Sequence, residues 1–204
     1  MNIGKLYIIS APSGAGKTSL VKQLVADLDH LSVSVSHTTR SMRPGEVHGQ
    51  DYYFVSAADF QAMREQQAFL EHAQVFDNFY GTAQKTVEDS LKQGLDVILE
   101  IDWQGAEQIK KLLPDSLSIF ILPPSTDVLL QRLRNRGQDD EQTIARRMRD
   151  AVTEISHHDE FDYLVVNDVF AQALTELKSI IIANRLIRQR QLNKLRPLLT
   201  ALLE

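Results

Sequence analysis

Nine consecutive residues, Ala11-Pro12-Ser13-Gly14-Ala15-Gly16-Lys17-Thr18-Ser19, carry the clearest chemical signal in the sequence. Gly14 and Gly16 allow backbone conformations closed to most residues, so that main-chain N–H groups can converge on an anion. Lys17 can reach β- and γ-phosphates, and the Thr18 hydroxyl suits Mg²⁺. The stretch follows the apolar run Leu6–Ser10 and precedes an amphipathic pattern over residues 17–28. That is the strand–loop–helix setting a Walker A phosphate loop requires; an ordinary glycine turn is the plainer alternative. The first position of the motif, normally glycine, is Ala11, a change that matters only if the backbone there needs a positive φ.

Such a loop serves GTPases, ATPases and small-molecule kinases alike. Asp102-Trp103-Gln104-Gly105 matches D-x-x-G, but no N-K-x-D box follows, and Asn193-Lys194-Leu195-Arg196 lacks the Asp. A GTPase is therefore not expected. Asp102 reads first as a helix N-cap, with a metal-side role open to the same carboxylate. The segment 36–54 gathers Arg40, Arg43, Tyr52 and Tyr53 with several hydroxyls. Two guanidinium forks and a tyrosine hydroxyl suit a dianionic monophosphate, although a solvated loop could have the same composition.

These residues need a scaffold. Five apolar runs, Leu6–Ser10, 33–36, 95–101, Leu117–Leu122 and Tyr163–Val166, mostly do not alternate, as expected of strands buried on both faces. Helical patterns lie between most of them, over residues 17–28, 105–113 and 127–136, and a long one over 170–194 stops before Pro197. Strand–helix alternation of this kind predicts an α/β fold with a parallel sheet. Residues 33–94 break the rhythm. There 51–55 alternates like a half-exposed strand, 57–67 reads as a helix behind Ser56, and 69–76 as a strand. Residues 86–93 read as a helix stopped by Gly94. A small mixed α+β subdomain is thus expected inside the core. A second interruption, about 134–158, is polar, arginine-rich and helical after Asp140.

Composition narrows the classes. The chain has 204 residues, a net charge of −5 and no cysteine, with 43% hydrophobic and 24% charged residues. Those values fit a folded domain able to bury a core without disulfides. Mild acidity argues against broad binding to nucleic acid or anionic lipid. The basic C-terminal residues Arg185, Arg188, Arg190, Lys194 and Arg196 read as a solvated helix face. No leader or apolar span is expected, which makes a cytoplasmic protein the default. His72 reads as packing and His157-His158 as a helix end.

The ordered blocks resemble a bacterial guanylate kinase along essentially the whole chain. They are S-A-P-S-G-A-G-K-T from Ser10, V-S-H-T-T-R-x-x-R-P-G-E-V-H-G from Val35, F-L-E-H-A from Phe69, F-Y-G-T from Phe79, I-D-W-Q-G from Ile101, I-L-P-P-S from Ile121, R-L-R-N-R-G from Arg132 and V-V-N-D from Val165. The resemblance implies a P-loop nucleoside monophosphate kinase fold, with a parallel sheet core flanked by helices, a mixed insertion and a helical lid. It implies a P-loop core over 1–32, 95–126 and 159–204, a GMP-binding insertion over 33–94 and a lid over 127–158.

The reaction it implies is ATP + GMP giving ADP + GDP with Mg²⁺, with dGMP as a further acceptor. Residues 11–19 and Asn167 would hold ATP, with Asn167 near the adenine. Ser36, Glu71 and Thr82 would meet guanine, and Arg40, Arg43, Tyr52 and Tyr80 the GMP phosphate. Lys17 and the lid arginines Arg136 and Arg147 would neutralise the transferring group. Thr18 would bind Mg²⁺, with Asp102 reaching it through water. Asp102 and Glu100 also fall on the GMP side, but the family usually reads D-I-D where this chain has Glu100-Ile101-Asp102. The expected partners are ATP and GMP, with a homo-oligomer allowed and neither nucleic acid nor membrane expected. Two rival readings stay open: a related P-loop kinase for another small phosphate, and a non-catalytic guanylate-kinase-like binding module.

Overall fold

The computed structural model describes residues 3–75, 77–135 and 140–204, and the Asn193 side chain is outside it. In chain order it runs β1 (Leu6–Ser10), α1 (Lys17–Asp27), β2 (Leu31–Val33), β3 (His37–Thr38), β4 (Tyr53–Phe54), α2 (Ala57–Glu65), β5 (Phe69–Val75), β6 (Asn78–Ala83) and α3 (Gln84–Lys92). It continues with β7 (Asp96–Glu100), α4 (Trp103–Leu112), β8 (Leu117–Leu122), α5 (Thr126–Asn135), α6 (Glu141–Ser156), β9 (Tyr163–Val166), α7 (Phe170–Arg185) and α8 (Arg188–Leu203). Among the described residues no helix is long and apolar enough to cross a membrane.

Two sheets result. The larger has the order β2-β7-β1-β8-β9, and every neighbouring pair is parallel. All five residues of central β1 are buried. Tyr7 and Ile9 pack with Leu20, Leu24, Leu177 and Ile181 of α1 and α7, while Leu6 and Ile8 pack with Val87 and Ile109 of α3 and α4. Helices on both faces explain why the strand sequence does not alternate. The smaller sheet, β4-β3-β6-β5, pairs β3 with β6 and β5 with β6 antiparallel. A third cluster, Leu129, Leu133, Ile144 and Ala151, joins α5 to α6.

Two expectations about elements change. The run read as a strand over 33–36 pairs only over Leu31–Val33; the chain then crosses to the second sheet, where the Ser36 carbonyl accepts from the Tyr53 N–H at 2.9 Å. The single C-terminal helix expected over 170–194 is two helices, broken at Leu186-Ile187. Arg185 and Arg190, one on each side of the break, both pair with Asp96, at 2.8 and 2.7 Å. Asp96 is only 2% exposed and also accepts from the Lys5 N–H at 2.7 Å. Pro197 lies inside α8 instead of ending it. It removes one backbone donor at an exposed position, where water can satisfy the carbonyl left over.

Asp96 thus anchors the C-terminal turn to the sheet. Asp96→Ala would leave two guanidiniums without their buried acceptor, so a loss of about 3 kcal/mol is expected. That corresponds to roughly 6–12 °C in Tm at this chain length, measurable by calorimetry.

Candidate functional site

The loop after β1 turns sharply, with the Ala15 N–H donating to the Pro12 carbonyl at 3.0 Å. Gly14 and Gly16 have φ values of 94° and 92°, while Ala11 is not among the residues with positive φ. Alanine therefore fits the first motif position without strain. Gly16 serves as N-cap of α1, so the helix begins at Lys17 and aims its free N–H groups at the cleft. A Cβ on Gly16 would lie 2.4 Å from Asn167 Nδ2. Asn167 is buried, and its amide donates to the Ala15 carbonyl at 2.7 Å. The structure therefore places Asn167 behind the loop as a brace. Arg132 of α5 is a second brace, donating to the Asn167 carbonyl at 2.9 Å and to the Ala15 carbonyl at 3.4 Å.

Across the cleft stands Glu71. A register shift in β5 between Phe69 and Glu71 sets it opposite Thr82 of β6. The Thr82 hydroxyl donates to Glu71 Oε1 at 2.5 Å, and Thr82 itself is fully buried. Glu71 Oε2 lies where a side chain at Gly105 would begin, 2.6 Å from a Cβ placed there. Only glycine in the first turn of α4 lets the carboxylate approach so closely. Asp102 caps that helix, accepting from the Gly105 N–H at 3.0 Å. Glu71 is 4% exposed, and burial pushes its pKa up to about 7 against the opposing pull of Thr82 and Lys17.

A basic cluster lies beside it. Arg40 Nη2 meets Glu46 Oε1 at 2.6 Å, while Glu46 Oε2 accepts from the Arg43 N–H at 2.7 Å. Burial works against the Arg40 charge, but Glu46 more than offsets this and holds the guanidinium pKa above its ordinary value. The same guanidinium sits 5.5 Å from the Tyr52 ring centre, and Tyr52 meets Tyr80 edge-on at 5.9 Å. Burial raises the Tyr52 hydroxyl to about 12, keeping it a neutral donor.

Two adjoining cavities, about 790 and 470 Å³, share Ser13, Thr18, Ser36, Arg43, Tyr52, Tyr80 and Glu100. The larger also reaches Arg40 and Arg147; the smaller reaches the phosphate loop, Glu71 and Asp102. The expected site residues Lys17, Ser36, Arg40, Arg43, Tyr52, Glu71, Tyr80, Glu100, Asp102 and Arg147 therefore line one continuous cleft. Thr82 and Asn167 support it from behind, and Arg136 lies outside the described residues. Glu100 approaches the Thr18 hydroxyl at 3.4 Å, and burial raises its pKa despite Lys17 and Thr18.

Sequence reasoning missed Glu154, Arg132 and Gly105. Glu154 on α6 accepts from the Ser13 N–H at 3.3 Å. The capping pattern from Asp140 places its helix, but nothing local shows that one turn of it meets the phosphate loop.

The raised Glu71 pKa has a signed consequence. Its folded value of about 7 exceeds the unfolded value of 4.5, so the folded chain binds the extra proton between them. Its contribution to stability therefore falls as pH rises through that window. Glu71→Gln is expected to stabilise the ligand-free protein by roughly 3 kcal/mol at about pH 8 and by little at about pH 4. Melting curves of both proteins across pH test this; a gap independent of pH would contradict it.

The guanylate kinase family model matches residues 3–184. The guanylate kinase of Saccharophagus degradans is 58% identical over 200 residues, covering 98% of each chain. That of Methylococcus capsulatus is 58% identical over 203 residues and covers both chains completely. The crystal structure of guanylate kinase from Anaplasma phagocytophilum superposes with a TM-score of 0.75 at 34% identity, covering 93% of this chain and 90% of that one. With the family model spanning most of the sequence and relatives this similar from end to end, the chain belongs to the guanylate kinase family.

Proposed function

We propose that the cleft holds two nucleotides at once and passes the γ-phosphoryl group of ATP to GMP, giving ADP and GDP. One observation carries this reading: a single cavity is lined both by the phosphate loop and by the buried Glu71 carboxylate. In this assignment ATP phosphates lie on the N–H groups of residues 13–19 and on Lys17, while guanine meets Glu71. Guanine offers N1–H and the 2-amino group side by side, and one carboxylate can accept from both. Adenine presents an acceptor at N1, so its lone pair would face a buried charge. Thr82 fixes one Glu71 oxygen and thereby its plane. Ser36 edges the same space. Arg40, Arg43, Tyr52 and Tyr80 hold the acceptor phosphate, with Glu46 keeping Arg40 in place.

The transfer itself needs position and charge neutralisation more than covalent help. Lys17 and Arg147 supply cations from the two adjoining cavities, and Arg136 is assigned to the same task. No general base is required, because the attacking oxygen belongs to an ionised phosphate. The donor set suits Mg²⁺: a hydroxyl on Thr18 with Glu100 beside it, and Asp102 further along the same wall. Mg²⁺ commonly keeps several waters and takes its other ligands from substrate phosphates and one or two protein groups. Bound there, Mg²⁺ would draw charge from the β- and γ-phosphate oxygens. We assign 33–94 to GMP binding, 127–158 to the lid and the remainder to the core, in a cytoplasmic enzyme.

A coupled ADP-release assay with GMP, dGMP, AMP, UMP and ribose phosphates tests the assignment. Turnover is expected with GMP and dGMP and near background with the others. Lys17→Met should lower kcat by roughly 10³ or more. Gly105→Ala should instead raise the KM for GMP about tenfold by displacing Glu71. Equal turnover of AMP and GMP would refute the base assignment.

A further inference from the structure

The lid helix α6 touches the cleft at several heights. Near its start Arg146 reaches Asp77, in the turn between β5 and β6, at 3.3 Å. Arg147 lines the larger cavity. Seven residues later, on the same helical face, Glu154 enters the smaller cavity. Just beyond the helix, His157 stacks on Trp103 with ring centres 3.6 Å apart and planes inclined by 7°. One helix thus spans the insertion, the phosphate loop and the start of α4.

The Glu154 contact stands out chemically. Its Oε2 accepts from the Ser13 N–H, inside the loop whose main-chain donors are built for anions. Lys17 is the favourable charge that Glu154 feels most strongly, while burial raises the carboxyl pKa to about 7. Asp102 and Asp150 add repulsion. A carboxylate in that position takes a loop N–H that would meet a phosphate, within the field of the Lys17 ammonium.

We propose that the Glu154 carboxylate is an internal competitor for the phosphate loop, and that the phosphates of ATP must displace it, so that filling the loop releases the lid helix. The inference rests on the reading of residues 11–19 as the ATP phosphate site. The Ser13 N–H carries a single proton and cannot donate fully to the carboxylate and to a phosphate oxygen at once. The bound fraction of Glu154 therefore lowers the apparent affinity for polyphosphate, as any competing internal ligand does. By linkage, whatever draws the lid away from Ser13 raises affinity for polyphosphate equally.

The test uses the full chain at about pH 8, where the Glu154 carboxyl is mostly ionised, with inorganic tripolyphosphate and with GMP as separate calorimetric titrants, in wild type, Glu154→Gln and Glu154→Ala. Both variants are expected to bind tripolyphosphate roughly tenfold more tightly than wild type, with GMP affinity unchanged. Trp103, the only tryptophan in the chain, reports the lid end through its His157 stack. Tripolyphosphate should change its emission in wild type and change it less in Glu154→Ala. Equal or weaker tripolyphosphate binding in both variants overturns the inference while leaving the ATP site standing. A parallel change in GMP affinity overturns it as a general disturbance of the cleft. Absence of tripolyphosphate binding in all three proteins removes the ATP assignment itself, and this inference with it.

Discussion

A carboxylate buried beside a hydroxyl instead of a cation is costly to keep charged, and the cleft is arranged around one such group, Glu71. Burial raises its pKa to about 7, and Thr82 offsets only part of that cost. Several features of the fold exist in the form needed to hold it there. The register shift in β5 turns it toward β6, and Gly105 clears the space it enters. Asp102 starts α4 at the height where the first turn can face it. A guanine bringing two donors would supply the partners that the empty site lacks. In the proposed reading, binding energy and base choice would come from the same buried charge.

Opposite that acid lies the reverse arrangement, a ring of donors waiting for anions. Net charge has little bearing on it, since −5 is spread over the chain while Lys17, Arg40, Arg43 and Arg147 converge on one cleft. Acids of the chain act on these cations: Glu46 orients Arg40, and Glu154, bonded to the Ser13 N–H, lies in the field of Lys17. Each acid holds a binding group in place while weakening what that group can offer a ligand. The two cases differ in placement. Glu46 approaches Arg40 within its own loop and also fixes the Arg43 backbone, whereas Glu154 reaches the loop from a separate helix, about 140 residues along the chain.

What the sequence revealed and what it hid follow from the range of the interactions. The phosphate loop could be read because its parts are adjacent: glycines, lysine and hydroxyl act within nine residues. Four of the five core strands, the helix behind Ser56 and the Asp102 cap could be read because hydrophobic period and capping are also local. The second sheet was only half visible. Its strands β3 and β4 have two residues each and owe their form to pairing partners far along the chain. The break between α7 and α8 depends on Asp96, about 90 residues away, and no local pattern announces it. Gly105, Arg132 and Glu154 stayed hidden for the same reason, since each acts on a residue remote in sequence. Asn167 shows the remaining kind of gap. Its motif was visible, but its tie to the Ala15 carbonyl required the folded chain.

The central claim is that Glu71 reads two adjacent donors on a purine, and removing those donors one at a time is its most direct test. Calorimetric titration with GMP, IMP and AMP at about pH 8 compares two donors, one donor and none. The account predicts measurable binding of GMP, weaker binding of IMP by roughly tenfold or more, and AMP weaker than GMP by about 10³ or more. AMP binding within tenfold of GMP, or no heat from GMP at all, would contradict it.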